Sequence, residues 1–208
     1  TAIRIIDSSD IEISGNTIRG YYYGIFISYD KGACTNIVVA RNRVSDCGYQ
    51  SISARHAITD PTRATRLSSI RFSDNTISRC EQGPVFKGVS HSVIERNEVS
   101  GNINGIRVEA SQRNIIRNNR IHHNLKMGIL LYYSSDNEII KNEIFDNNLQ
   151  AVRIAKIAEK HGLDPNYLPG DLVCFDQCSR SDVATYSRRV KGKARMTDLN
   201  RDFWPYPT

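Results

Sequence analysis

The chain has 208 residues, with 28 Lys plus Arg against 22 Asp plus Glu, for a formal charge of +6. A hydrophobic fraction of 39% with 24% charged residues suits a folded domain and argues against disorder. No apolar run reaches the roughly 18 to 20 residues of a membrane helix, and the mild positive surplus admits an acidic partner without naming one.

The first 150 residues hold 15 asparagines, a residue that disfavours helix and strand interiors and favours turns. They recur in order. Asn followed by any residue and then Ile or Val occurs at Asn16, Asn42, Asn75, Asn97, Asn119 and Asn142, with spacings of 26, 33, 22, 22 and 23. After most of these comes a small residue and an apolar alternation: Gly24–Ile27, Ser51–Ala54, Gly105–Val108, Gly128–Leu131. An apolar pair precedes the next Asn at Ile37-Val38, Val93-Ile94, Ile115-Ile116 and Ile139-Ile140. Each repeat thus carries two or three short strands joined by turns. A period near 22 with one apolar face predicts stacked β-coils, because a single coil cannot bury that face alone. The Asn of each turn can bond the backbone and the Asn above and below. A second column, Cys47, Cys80, Asn102, Asn124 and Asn147, follows five residues later. Cys47 and Cys80 are read as buried turn thiols. Cys174 and Cys178 could bridge or remain thiols.

The longest interval holds an inserted polar and basic stretch, Ile58 to Ser69, expected to emerge as a loop on one face. After Ile154 the repeat stops. Ala155 to His161 has helical spacing, and a basic run from Arg188 to Arg195 precedes an aromatic, Pro-rich end. The expectation is a β-coil domain over 1–156 and a capping segment over 157–208.

The repeat resembles the right-handed parallel β-helix superfamily, the pectate-lyase-like fold, over roughly Ile5 to Ile154. The implied fold is an all-β right-handed parallel β-helix of about six coils with an irregular, partly helical C-terminal cap. Strand alternation then places Phe26, Ser53, Val85, Arg107, Leu130 and Arg153 in one outward column. Ser28, Arg55, Lys87, Glu109, Tyr132 and Ala155 form the next. Arg55, Lys87, Glu109, Tyr132 and Arg107 should therefore cluster, with Tyr29, Lys31 and His56 beside them. They can equally form a solvated ladder in which Lys87 and Glu109 pair.

Enzymes of this superfamily commonly act on uronate polysaccharides by abstracting the C5 proton, giving a lyase or, with reprotonation, a C5-epimerase. Such a site needs a base and a cation on the carboxylate. Lys87, Lys31 or His56 are the candidate bases, Tyr132 the proton donor, and Arg55 or Arg107 the carboxylate partner. Glu109, Tyr29 and Arg153 complete the candidate substrate contacts. The run Asn42–Cys47 followed by Arg55-His56 is similar to the alginate and chondroitin lyase branch, which implies a catalytic role for Arg55 with a Lys of the preceding coil, nearest Lys31, as base. That branch also implies calcium, although no Glu-x-Glu is found on the earlier coils. The residues themselves identify no cofactor and no metal site. His122 and His123 are read as turn residues whose side chains point apart.

The competing reading is a non-catalytic β-helix for glycan binding, adhesion, or surface or phage structure. The expected partner is an acidic polysaccharide, in an extracellular or periplasmic setting. Self-association through an open N-terminal end is also foreseen. Neither a nucleic-acid motif nor a membrane segment is found.

Overall fold

The computed structural model describes residues 1–56, 66–147 and 173–176, with Tyr132 and the last four as backbone alone. The chain winds as a right-handed parallel β-helix with three sheets. The first sheet stacks β1 (Ile3–Ile6), β4 (Tyr23–Ser28), β7 (Gln50–Arg55), β10 (Val85–Lys87), β13 (Ile106–Glu109), β16 (Ile129–Tyr132) and β19 (Val173–Asp176). The second stacks β2 (Ile11–Ser14), β5 (Cys34–Ala40), β8 (Leu67–Ser73), β11 (Val93–Glu95), β14 (Ile115–Arg117) and β17 (Glu138–Ile140). The third stacks β3 (Thr17–Arg19), β6 (Arg43–Ser45), β9 (Thr76–Ser78), β12 (Glu98–Ser100), β15 (Arg120–His122) and β18 (Glu143–Phe145).

Parallel stacking sets like side chains on one another, so each inward position becomes an axial column. Ile5, Ile27, Ala54, Phe86, Val108 and Leu131 form one column; Ile18, Val44, Ile77, Val99, Ile121 and Ile144 form another. All twelve are buried. Most are β-branched, which suits a pleated strand packed on both sides along the axis. Each fully buried aliphatic contributes about 1.5–3 kcal/mol. In the middle of the core Phe72 packs on Phe86, centroids 4.9 Å apart.

The corners between strands follow a two-residue rule. A left-handed residue turns the chain, and the next residue is a member of a polar ladder. Between the second and third sheets the left-handed residues are Gly15, Arg41, Asp74, Arg96, Asn118 and Lys141, followed by Asn16, Asn42, Asn75, Asn97, Asn119 and Asn142. The Oδ1 of each higher Asn accepts both the backbone N–H and the Nδ2 of the Asn below, at 2.9–3.1 Å throughout. A corner takes the backbone out of the sheet ladder, and the amide supplies the acceptor the turned N–H would lack. The second expected column is also present. Cys47 N–H meets Cys80 Sγ at 3.4 Å, Cys80 N–H meets Asn102 Oδ1 at 2.9 Å, and Asn102 and Asn124 continue upward. A third ladder, Ser92, Asn114 and Asn137, lies where the first sheet turns into the second.

The small residues ahead of the first-sheet strands also have a cause. A Cβ on Gly24 or Gly105 would be driven into the carbonyl oxygen of Ser51 or Gly128 on the next coil.

β19 extends the first sheet beyond β16, with Val173 opposite Ile129 and Cys174 opposite Leu130, the rung at which the period sets Arg153. The Val-Cys-Phe sequence of β19 offers the β-branched and aromatic character that a sheet rung favours. Arg153, the helix expected at Ala155–His161, Cys178, the basic run and most of the inserted Ile58–Ser69 stretch lie outside the described residues.

Candidate functional site

The outward face of the first sheet brings together most of the residues singled out from the sequence. Register sets Lys87 between Arg55 and Glu109, with Tyr132 beyond Glu109. The neighbouring column runs Arg4, Phe26, Ser53, Val85, Arg107 and Leu130. Glu109 is almost wholly buried, at 6% exposure, and both of its oxygens are taken. Lys87 Nζ donates to Oε1 at 2.7 Å, and Arg107 Nη2 donates to Oε2 at 2.7 Å. A buried carboxylate requires such partners. The group Arg55, Lys87, Arg107 and Glu109 carries a formal surplus of two positive charges.

Tyr29 and His56 form a second unit. Their rings stack with centroids 4.0 Å apart and an interplanar angle of 4°. Arg66 lies over the Tyr29 ring at 5.5 Å and donates to the Lys31 carbonyl oxygen at 3.1 Å. The backbone N–H groups of Asp30, Lys31 and Gly32 all donate to the Asp7 carboxylate at 2.8–3.2 Å. Those N–H donors, Asp30 first, hold the Asp7 pKa below the ordinary carboxylate range. Lys31 thus belongs to a turn tied down by Asp7 and Arg66, with its own side chain exposed.

Sequence reasoning missed an aromatic cluster at the edge of this face. Tyr22 stacks on Tyr49 at 5.5 Å and 26°, and Tyr23 meets both edge-on at 5.0 and 5.6 Å. Tyr23 also meets Phe26 at 5.0 Å, and the Arg4 guanidinium lies 5.8 Å over the Phe26 ring. Tyr22 is 61% exposed and Tyr21 46%. Burial pushes the Tyr23 hydroxyl pKa above its ordinary value, while the nearby Arg55 charge acts in the opposite sense. The Tyr21-Tyr22-Tyr23 run, with Tyr49 about one coil later, was the available signal. Between this cluster and Glu109, Gln50 Oε1, Ser53 Oγ and Arg107 Nε are buried without a hydrogen-bond partner among the described residues. Such orphaned atoms are uncommon in folded proteins.

On the third sheet, His122 and His123 do not point apart. His123 has φ 53°, so the chain turns at that residue and the rings converge, with Nδ1 atoms 2.6 Å apart. The alternation that separates neighbours on a strand ends where the strand ends.

The buried thiols Cys34, Cys47 and Cys80 are unpaired. Cys80 shares a hydrogen bond with Cys47 and is buried, and both effects hold it as a neutral thiol far above the ordinary thiol range.

Residues 1–160 match the family of the periplasmic copper-binding protein (NosD), and the chain belongs to that family. No curated protein and no solved structure matches the chain. Among the described residues, no group of three or more His, Cys, Asp or Glu side chains converges to cage a metal ion. Cys80, held neutral by its bond to Cys47 and by burial, does not suit one. The His122–His123 pair brings together two imidazole nitrogens, fewer than the three donors of such a cage.

Proposed function

We propose that the first-sheet face is a non-catalytic binding surface for an acidic polysaccharide, in a periplasmic or extracellular setting. The observation that carries this reading is the Tyr22–Tyr49 stack beside Phe26, with Tyr22 exposed and Arg4 and Arg55 at hand. Flat aromatic faces accept the apolar side of a sugar ring, and guanidinium groups take carboxylates in a two-pronged fashion. The family's description, a periplasmic protein, supports the setting.

The lyase or epimerase reading asks for a free base over the sugar. Lys87 instead serves as an ammonium donor to Glu109, and Arg107 is bound to the same carboxylate. A lysine in that role offers no lone pair for C5-proton abstraction. This arrangement favours binding without turnover.

The test is electrophoresis through gels containing alginate, polygalacturonate or a glycosaminoglycan, with absorbance for unsaturated product and NMR for epimerised sugar in parallel incubations. The proposal expects retardation in at least one gel and no product. Product formation would replace it with the catalytic reading, and absence of retardation in every gel would remove it.

A further inference from the structure

We propose that Cys47 and Cys80 form a modification site, which a disulfide oxidant closes into a covalent bond between neighbouring coils. The site is independent of glycan binding. Its starting point is the column in which the two thiols stand. Asn102 and Asn124 fill the same corner higher up, and the Oδ1 of each accepts the N–H of the residue below at 2.9–3.0 Å. Cys80 Sγ takes that place for the Cys47 N–H at 3.4 Å, and sulfur is a weak acceptor. A thiol is thus the poorer residue for the ladder. Two of them in succession supply what an amide lacks, a pair of sulfurs that can be oxidised.

The corner brings the pair within reach. The Glu81 N–H donates to the Cys47 carbonyl oxygen at 3.3 Å, and the Asp46 N–H donates to the Ser78 carbonyl oxygen at 3.2 Å, so the two turns are in register. Parallel neighbours in register lie about 4.8 Å apart. That falls inside the roughly 4.4–6.8 Å between Cα atoms that a disulfide spans. Both side chains take the same direction. Cys47 Sγ faces the Ser45 carbonyl oxygen at 3.7 Å, and Cys80 Sγ faces the Ser78 carbonyl oxygen at 3.4 Å. Rotation of one side chain about its Cα–Cβ bond brings the sulfurs together and leaves the backbone ladder in place.

The chemistry is thiol–disulfide exchange. The hydrogen bond from Cys80 holds the Cys47 pKa below the ordinary thiol range, against the effect of burial, so Cys47 is the sulfur that attacks. Its thiolate forms a mixed disulfide with the oxidant and expels one oxidant thiolate. Cys80 then passes its proton to solvent, attacks Cys47 Sγ and expels the second thiolate. The two cysteines lose two electrons and two protons, and the oxidant disulfide becomes two thiols. Both cysteines are buried, yet Gly48 beside Cys47 is exposed, so opening of a single corner admits the oxidant. The bond joins residues 33 apart in sequence, which restricts the unfolded chain and raises resistance to unfolding.

The experiment incubates the folded full chain with excess oxidised glutathione, blocks the remaining thiols with iodoacetamide, and maps tryptic peptides without reduction. Trypsin separates the two cysteines into peptides 44–55 and 80–87. The expected result is those two peptides joined, two hydrogens lighter than their sum, and a higher urea midpoint for the oxidised protein than for the reduced one. Cys47→Ser and Cys80→Asn, the latter matching the amides above it, should each abolish the linked peptide and the rise in midpoint. Circular dichroism checks that the variants fold. Absence of the linked peptide, or its formation no more readily in the folded chain than in concentrated urea, overturns the proposal. So does a urea midpoint that falls on oxidation.

Discussion

Replacing Asn97 with Ala removes one link from the middle of the corner ladder. Its Oδ1 accepts from the Asn75 N–H and Nδ2, both at 2.9 Å. Its Nδ2 donates to the carbonyl oxygens of Phe72 and Glu95 and to Asn119 Oδ1, at 2.9–3.0 Å. The Asn97 N–H bond to Asn119 depends on the backbone and survives. Nδ2 has two hydrogens for its three acceptors, so about four bonds' worth is lost in a site that is 1% exposed. At about 1 kcal/mol each the sum is roughly 4 kcal/mol, and the buried Asn75 N–H left behind costs further. Bonds sharing one residue are not additive, so a loss of about 3–5 kcal/mol is expected. That is a large share of the roughly 5–15 kcal/mol that stabilises a domain. Asn16, at the lower end of the ladder, is part-buried and uses only its donors, to Ser14 and Asn42. Asn16→Ala should therefore cost about 1–2 kcal/mol. Urea unfolding followed by circular dichroism measures both, with amide exchange to detect coils that open separately. Equal losses in the two variants, or a loss below about 1 kcal/mol for Asn97→Ala, would refute the ladder as a source of stability.

Other consequences follow from neighbouring coils. Gly105→Ala forces a methyl group against the Gly128 carbonyl oxygen and Ile121; thermal melting should show a loss of at least about 1–3 kcal/mol. Cys80→Asn should retain the fold with unchanged or higher urea resistance, because Asn102, Asn124 and Asn147 already occupy that column and Cys80 N–H keeps its bond to Asn102. Glu95, with a fully buried side chain, pairs with Arg71, Arg96 and Arg117. Burial alone would raise its pKa, but the Arg117 hydrogen bond and the surrounding guanidinium charges hold it below the ordinary carboxylate range. A depressed folded-state pKa gives stability that is complete above the unfolded value and lost as pH falls through the folded one. Wild type should thus weaken progressively below about pH 4, and Glu95→Gln should remove part of that slope. At neutral pH the substitution should cost about 2–3 kcal/mol, less than a fully buried pair, because the guanidinium side chains are 41–48% exposed.

The coils were legible because stacking repeats the same demand in every turn. Asn75, Asn97 and Asn119 sit where the corner needs an acceptor, so the spacing records the architecture directly. Ser92, Asn114 and Asn137 meet a similar demand over fewer coils, and so leave a shorter trace in the sequence. Alternation also located Arg55, Lys87, Arg107 and Glu109 on one face, since register converts a period into neighbours. It offered the Lys87–Glu109 pair as one alternative, which the structure contains, but not the Arg107 bond to the same carboxylate, which depends on side-chain reach along the strand. The Tyr22–Tyr49 stack and the His122–His123 pair both form at turns, where the two-residue period ends. There the backbone dihedral of a single residue, as at His123, decides which side chains meet.

In the proposed function Tyr22 and Tyr49 bind an acidic glycan, and the Lys87–Glu109–Arg107 group takes no part in turnover. Calorimetric titration of the glycan that retards the protein, against wild type and Tyr22→Ala/Tyr49→Ala, tests it most directly. Saturable binding by wild type, a loss of about tenfold or more in the double variant, and intact glycan recovered afterwards are expected. Equal affinity in the two folded proteins, or cleaved or epimerised glycan from the wild-type cell, would contradict it.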